Sequence, residues 1–263
     1  MRLRPSRKLF AIFLFYLFLV AMIAVVSPLA GDYSFFLYPI MILASLLLIL
    51  SFNLQVKVGG FLVGAVAAAV AMGLVMAILV FTGAVSIGQL QNNSAYLLVF
   101  GLLLQLMVGF GEELPFRATI FQGLDEELGP ALALVLSAGG FALLHIPSME
   151  DLGVSWPVSL VALGTIFMAG IALALLYAYG GILNAVAFHI TWNFIEYNVF
   201  NMGPLGGAIG VSRNAPDIFT GGAFGPEASL AGLFVSGLLT IGIWLYYSRI
   251  KKMKLNAKAH KDY

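Results

Sequence analysis

Glu112 and Glu113 stand side by side, followed by Arg117, in a chain of which only 10% of the residues are charged. Downstream, the apolar sequence is interrupted by His145 and then by His189 and Asn193, four residues apart. A charged side chain at the centre of a bilayer costs about 2.5 to 3.5 kcal/mol on insertion scales, so three unpaired charges represent roughly 8 to 10 kcal/mol. Such a cluster needs partners or a task. Glu113 and Arg117 share a helical face and are placed to pair, whereas Glu112 points about 100° away and is left without a match. A carboxylate of this kind is a candidate general base for water. His145 is suited to share that water or to carry its proton to a leaving group. His189 and Asn193, on one face of one helix, are suited to donate hydrogen bonds to a developing oxyanion. Base, water and oxyanion donors together describe hydrolysis of an acyl bond, with no serine or cysteine nucleophile. A metal-dependent variant uses the same residues, since Glu112, His145 and His189 are of the types that hold zinc with a water in the fourth position. The HExxH pattern is absent, so spacing alone does not establish a metal.

The elements that position these residues are membrane helices. The 263 residues are 61% hydrophobic, with a mean hydropathy of +1.01, a balance that no water-facing globular surface tolerates. Cutting the apolar runs to the roughly 17 to 25 residues that cross a bilayer predicts eight helices, near 9–29, 35–52, 58–82, 95–124, 130–146, 157–179, 181–202 and 228–247. The expectation is an all-α integral membrane protein: one polytopic domain, 1–263, built as a bundle of about eight transmembrane helices around an intramembrane polar site. Basic residues gather at Arg2, Arg4, Arg7 and Lys8, at Lys57, and at Arg249, Lys251, Lys252, Lys254, Lys258 and Lys261. The alternate connections carry only Arg213 among Asp32, Glu150, Asp151, Asp217 and Glu227. This bias predicts that both termini are cytoplasmic, which agrees with an even number of spans. The apolar run 9–26 exceeds the usual signal-peptide core of about 7 to 15 residues, and Pro28-Leu29-Ala30 is a poor cleavage site, so the first helix is expected to stay uncleaved. A net charge of +1 gives no footprint for nucleic acid, and the absence of cysteine removes disulfides and thiolate metal sites.

The polar residues reach similar depths. Glu112 lies about 13 residues, or roughly 20 Å, before the polar turn at Asp125-Glu126-Glu127. The next helix climbs back from Gly129 and reaches His145 after about 24 Å, so an antiparallel hairpin brings the two together. His189 and Asn193 follow the Gly180-Gly181 turn by about 12 to 18 Å. Each residue alone also has a purely structural reading: an intramembrane histidine or asparagine often only bonds a neighbouring helix. Phe141, on the face of His145, is expected to pack; Glu196 is expected near the outer interface; Pro115 is expected to kink its helix. Close helix packing is expected at Gly60/Gly64, Ala69/Gly73/Ala77 and Gly170/Ala174. The long stretch 203–227 reads either as a cap over the site or as an ordinary loop.

Three motifs in order, Glu112-Glu113 with Arg117 (EExxxR), Phe141 with His145 (FxxxH) and His189 with Asn193 (HxxxN), resemble those of the CPBP family of intramembrane endopeptidases. That family comprises CAAX proteases and bacteriocin-processing enzymes, the Abi and Rce1-like proteins. With the span count, the resemblance covers a core of about 95–202. It implies an eight-helix endopeptidase in which Glu112 activates water with help from His145, His189 and Asn193 stabilise the oxyanion, and Glu113 and Arg117 support them. The family is described both as metal-dependent and as glutamate-dependent. Ala118 stands where many members have glycine, and TGGAFGPEAS at 220–229 is closer to bacterial members than to the eukaryotic prenyl-protein enzyme. The implied partners are a peptide or membrane-protein substrate and the lipid bilayer of a bacterial-type cell membrane.

Two other classes compete. A proton- or ion-coupled transporter would use the intramembrane glutamates and histidines as a relay, although no internal repeat is visible. A non-catalytic scaffold or immunity protein would keep the fold without the chemistry.

Overall fold

Glycine and proline set the helix boundaries. The computed structural model describes residues 6–203 and 206–259; Arg2, Arg4, His260 and Lys261 lie outside them. Among the described residues, helices α1 (Arg7–Ala30), α3 (Leu62–Phe81), α4 (Ser94–Leu128), α5 (Pro130–Asp151) and α6 (Trp156–Gly180) are long and apolar enough to cross a membrane, as are two more. These are Tyr33–Phe52, which contains α2 (Leu37–Phe52) and the end of a 3-10 segment at Gly31–Phe36, and Leu230–Arg249 within α8 (Leu230–Ala259). The eighth expected span, α7 (Ile182–Asn193), runs on as π-helical turns over Phe194–Val199. It is less apolar than the rest because it carries Asn184, His189, Asn193, Glu196 and Asn198. The chain is an all-α multi-pass membrane protein. Large apolar side chains face outward all along the bundle, among them Leu47, Val70, Leu103, Leu136 and Phe234, which only lipid makes favourable over such an area.

Tight connections fix which helices are neighbours. Gly129 (φ +83°) and Gly181 (φ +88°) take backbone conformations that suit glycine and turn α4 into α5 and α6 into α7. The α2–α3 connection is stitched to the second of these turns: Ile182 N–H donates to Lys57 O (2.7 Å) and Leu183 N–H to Val58 O (3.0 Å). Lys57 Nζ donates to Ala178 O (2.9 Å). Asn184 completes the joint, its Oδ1 accepting from Gly64 N–H at 3.0 Å and its Nδ2 donating to Gly180 O at 2.7 Å. At the same end of the bundle, Lys8 at the start of α1 pairs with Glu126 at 2.7 Å and Glu127 at 3.6 Å at the end of α4.

Gly59 is the tightest point of this joint, with φ +66° and no room for a Cβ beside the Gly180 carbonyl. Gly59→Ala is expected to destabilise the fold by about 1 to 3 kcal/mol. Thermal unfolding in detergent checks this, with Gly60→Ala, where a Cβ meets open space, as the near-neutral comparison.

The expected small-residue contacts are partly realised. Gly64 packs against Asn184 and Gly170 against Ala138. Gly60 and the stripe Ala69/Gly73/Ala77 instead face outward, because α3 buries the adjacent face, Ala68, Ala71, Met72, Val75, Met76 and Leu79.

Two short strands, β1 (Val85–Leu90) and β2 (Ile209–Arg213), pair antiparallel with Val85 opposite Arg213 and Leu90 opposite Ile209, irregularly between Ile87 and Leu90. Neither was expected from the sequence. Both lie in connections at the opposite end of the bundle from Lys57, and pairing satisfies backbone groups that no helix serves. Further bonds, Gln91 N–H to Ala208 O (2.8 Å) and Ala208 N–H to Asn198 O (2.7 Å), hold the long α7–α8 connection down on α7.

Candidate active site

The polar cluster forms where α4 changes its winding. From Leu114 to Phe121 the helix is π-helical, and Pro115 through Phe121 are all buried. Pro115 has no N–H to offer to the α-helical ladder, and the wider turn absorbs that loss where the sequence suggested a kink. A π-helical segment of this type re-aims the side chains around it.

Glu113 and Arg117 are both fully buried and joined, Arg117 Nε–H donating to Glu113 Oε2 at 2.9 Å. The other oxygen, Oε1, accepts from His189 Nδ1–H at 2.8 Å. Glu113 therefore has two charged or polar neighbours, and ties α4 to α7 as well as neutralising the arginine. Nη1 and Nη2 of Arg117 have no hydrogen-bond partner; the guanidinium lies 4.8 Å from the Phe141 ring centroid, a face that attracts cations. Phe141 also meets His145 edge-on at 4.9 Å and His189 at 6.2 Å. Its packing is thus at the centre of the cluster, in contact with three of the motif residues.

His145 sits in a break in α5, whose first part ends at Leu143 and resumes at Ile146. Pro147 causes the break: it lacks the N–H for the ladder and disfavours helical geometry in the residue before it. His145 Nδ1–H donates to Phe141 O at 2.9 Å. Since a carbonyl and an ionised carboxylate only accept, both histidines carry their proton on Nδ1 when neutral and leave Nε2 bare. His189 Nε2 lies 3.8 Å from Glu112 Oε2.

Glu112, His145, His189 and Asn193 line one cavity of about 270 Å³, together with Tyr38, Gln105, Tyr197 and Glu227. A second cavity of about 180 Å³, walled by Ile23, Leu37, Met41 and Leu144 among others, reaches Glu112 and His145 from the α1–α2 side. Glu112 and His145 thus stand on the partition between two spaces. Glu113 and Arg117 line neither and act from behind the wall. Glu112, His145 and His189 are suitable zinc ligands by type, yet among the described residues no three His, Cys, Asp or Glu side chains gather closely enough to hold a metal ion.

Residues 94–195 match the model of the family described as type II CAAX prenyl endopeptidase Rce1-like. Over this segment the chain is similar to that family. The matched residues include all three motifs, from Glu112 to Asn193, in agreement with the CPBP resemblance. Comparison with curated proteins and with solved structures gives no match. The similarity supports, in general terms, a protease of the CAAX type.

Several cavity residues lie beyond the Rce1-like motifs and were not singled out in the sequence. Tyr38 of α2 rests on Gly111, where a Cβ would strike its ring; the glycine directly before Glu112 was the available signal. Glu227, in a connection expected on the outside, reaches the cavity. Glu196 is completely buried: Gly225 (φ +118°) closes against its carboxylate, and Arg213 anchors the connection through Met202 O at 3.0 Å.

Proposed function

We propose that the protein is an endopeptidase that hydrolyses a peptide bond of a peptide or membrane-anchored protein, with Glu112 as the base that activates water. The observation that carries this reading is that Glu112, not neutralised by Arg117, shares one cavity with His145, His189 and Asn193. Glu112 takes a proton from water and the resulting hydroxide attacks the scissile carbonyl carbon. Asn193 Nδ2–H, and His189 Nε2–H when the ring is an imidazolium, donate to the oxyanion that forms. Glu113 on the far side of His189 balances that ring charge and fixes its orientation, as an orienting carboxylate does in hydrolytic triads. His145 Nε2 then relays the proton to the leaving nitrogen, and the C–N bond breaks. None of these steps requires a metal. The catalytic core is about 95–202 within one polytopic unit of a bacterial-type cell membrane, both termini cytoplasmic, as the basic residues at Arg7, Lys8, Lys57 and Arg249 favour.

The purified protein in detergent, incubated with a diverse peptide pool, is expected to yield discrete internal cleavage products by mass spectrometry. Solute flux into proteoliposomes without any proteolysis would replace this reading with the transporter.

A further inference from the structure

One wall of the cavity consists of acceptors. Gln105 is 1% exposed, and its Nε2 donates to Asn198 Oδ1 at 3.2 Å. Its Oε1, buried on the same cavity lining, has no partner. Glu227 faces the cavity from the Pro226–Ala228 turn, with Oε1 accepting from the Tyr197 hydroxyl at 3.0 Å. Beside that turn, the carboxylate of Glu196 is fully buried. The turn itself is fixed: Ser229 Oγ–H donates to Pro226 O (2.5 Å) and accepts from Gly232 N–H (3.0 Å).

Among the described residues, no lysine or arginine lines this cavity. Arg117 is engaged by Glu113 and Arg213 by Met202 O. An orphaned amide oxygen next to carboxylates, with no lysine or arginine beside it among the described residues, leaves buried acceptors unmatched. Their complement is a group with several N–H donors and a positive charge.

We propose that this wall binds a cationic group of the substrate, an ammonium or guanidinium close to the scissile bond, received by Glu227 and Gln105 Oε1. The inference rests on the protease reading of the same cavity. The cation is either a lysine or arginine side chain or the free amino terminus of the substrate. By the same logic, a substrate whose free carboxylate would lie against Glu227 is disfavoured.

Binding to the Glu112→Gln protein, followed by tryptophan fluorescence with Trp192 on the cavity wall, separates recognition from turnover. The probes are N-acetylated peptide amides identical except for lysine, norleucine or glutamate at one scanned position, plus the norleucine peptide with a free amino terminus. The lysine peptide is expected to bind about tenfold more tightly than its norleucine counterpart. Adding Glu227→Gln is expected to erase that difference while leaving the norleucine peptide unchanged, and Glu227→Lys to favour the glutamate peptide. A gain confined to the free amino terminus assigns the cation to that group. Equal binding of the lysine, norleucine and glutamate peptides with no gain from the free terminus, or a preference untouched by Glu227→Gln, overturns the proposal. Cleavage by the wild-type protein without charge preference sinks this inference and leaves the protease standing. Charge-selective binding without wild-type cleavage does the reverse.

Discussion

Glu112→Gln is expected to lower kcat/KM by about 10² to 10⁴-fold, the usual contribution of a positioned general base, while the protein stays folded. Glutamine keeps the shape and hydrogen-bonding span of the side chain but accepts no proton from water. The folded state should lose little, because Glu112 makes no ion pair with Arg117 and its nearest charged-type contact is the 3.8 Å approach to His189 Nε2. Its side chain is 16% exposed, against complete burial for Glu113. The measurement therefore has two parts: steady-state cleavage of a fluorogenic peptide, and the thermal unfolding midpoint of the same preparation. Full turnover with an unchanged midpoint would remove Glu112 from the role of base. A collapse of both together would mean that the carboxylate holds the bundle together. His145→Ala separates the roles further, since among the described residues the hydrogen bond of the His145 ring goes to the Phe141 carbonyl and its loss should slow proton delivery without disturbing the Glu113 network.

What was legible in the sequence was the part governed by local periodicity and by the cost of burying charge. The spans follow from the lengths of apolar runs, and the pairing of Glu113 with Arg117 follows from their spacing of four. The convergence of α4, α5 and α7 followed from counting residues from the turns at Gly129 and Gly181. The second partner of Glu113 was not legible, because His189 lies 76 residues away and its ring orientation depends on how α7 docks on α4. Nor was the break at His145, which Pro147 imposes from two residues downstream. The approach of Glu227 to the cavity and the burial of Glu196 were not legible for a different reason. Their positions depend on the path of a glycine-rich connection, fixed by long-range bonds such as Ala208 N–H to Asn198 O and by the β1–β2 pairing. No hydrophobic pattern encodes those contacts.

Glu113→Gln is expected to destabilise the protein by about 3 to 5 kcal/mol, the range found when one member of a buried ion pair is removed. Arg117 is fully buried, and among the described residues Nη1 and Nη2 have no hydrogen-bond partner and Glu113 supplies the one anionic contact. The substitution should also slow catalysis by about 10² to 10³-fold, the cost of losing one oxyanion donor, because His189 keeps a hydrogen-bond acceptor on Nδ1 but loses the charge that balances an imidazolium. A single variant does not tell these effects apart, since a partly unfolded enzyme is also a slow one. Arg117→Met combined with Glu113→Gln removes the stranded cation together with its partner. If Glu113 serves only to neutralise Arg117, this double variant regains both the unfolding midpoint and the activity. The geometry leads to a different expectation. Stability should recover toward the wild-type value, because an uncharged pair is comfortable in the apolar wall beside Phe141. Turnover measured well below the midpoint should remain low, because His189 still faces Glu112 without a carboxylate behind it. Recovery of turnover in the double variant would show that Glu113 acts on the arginine alone, and would require another group to support the charge on His189.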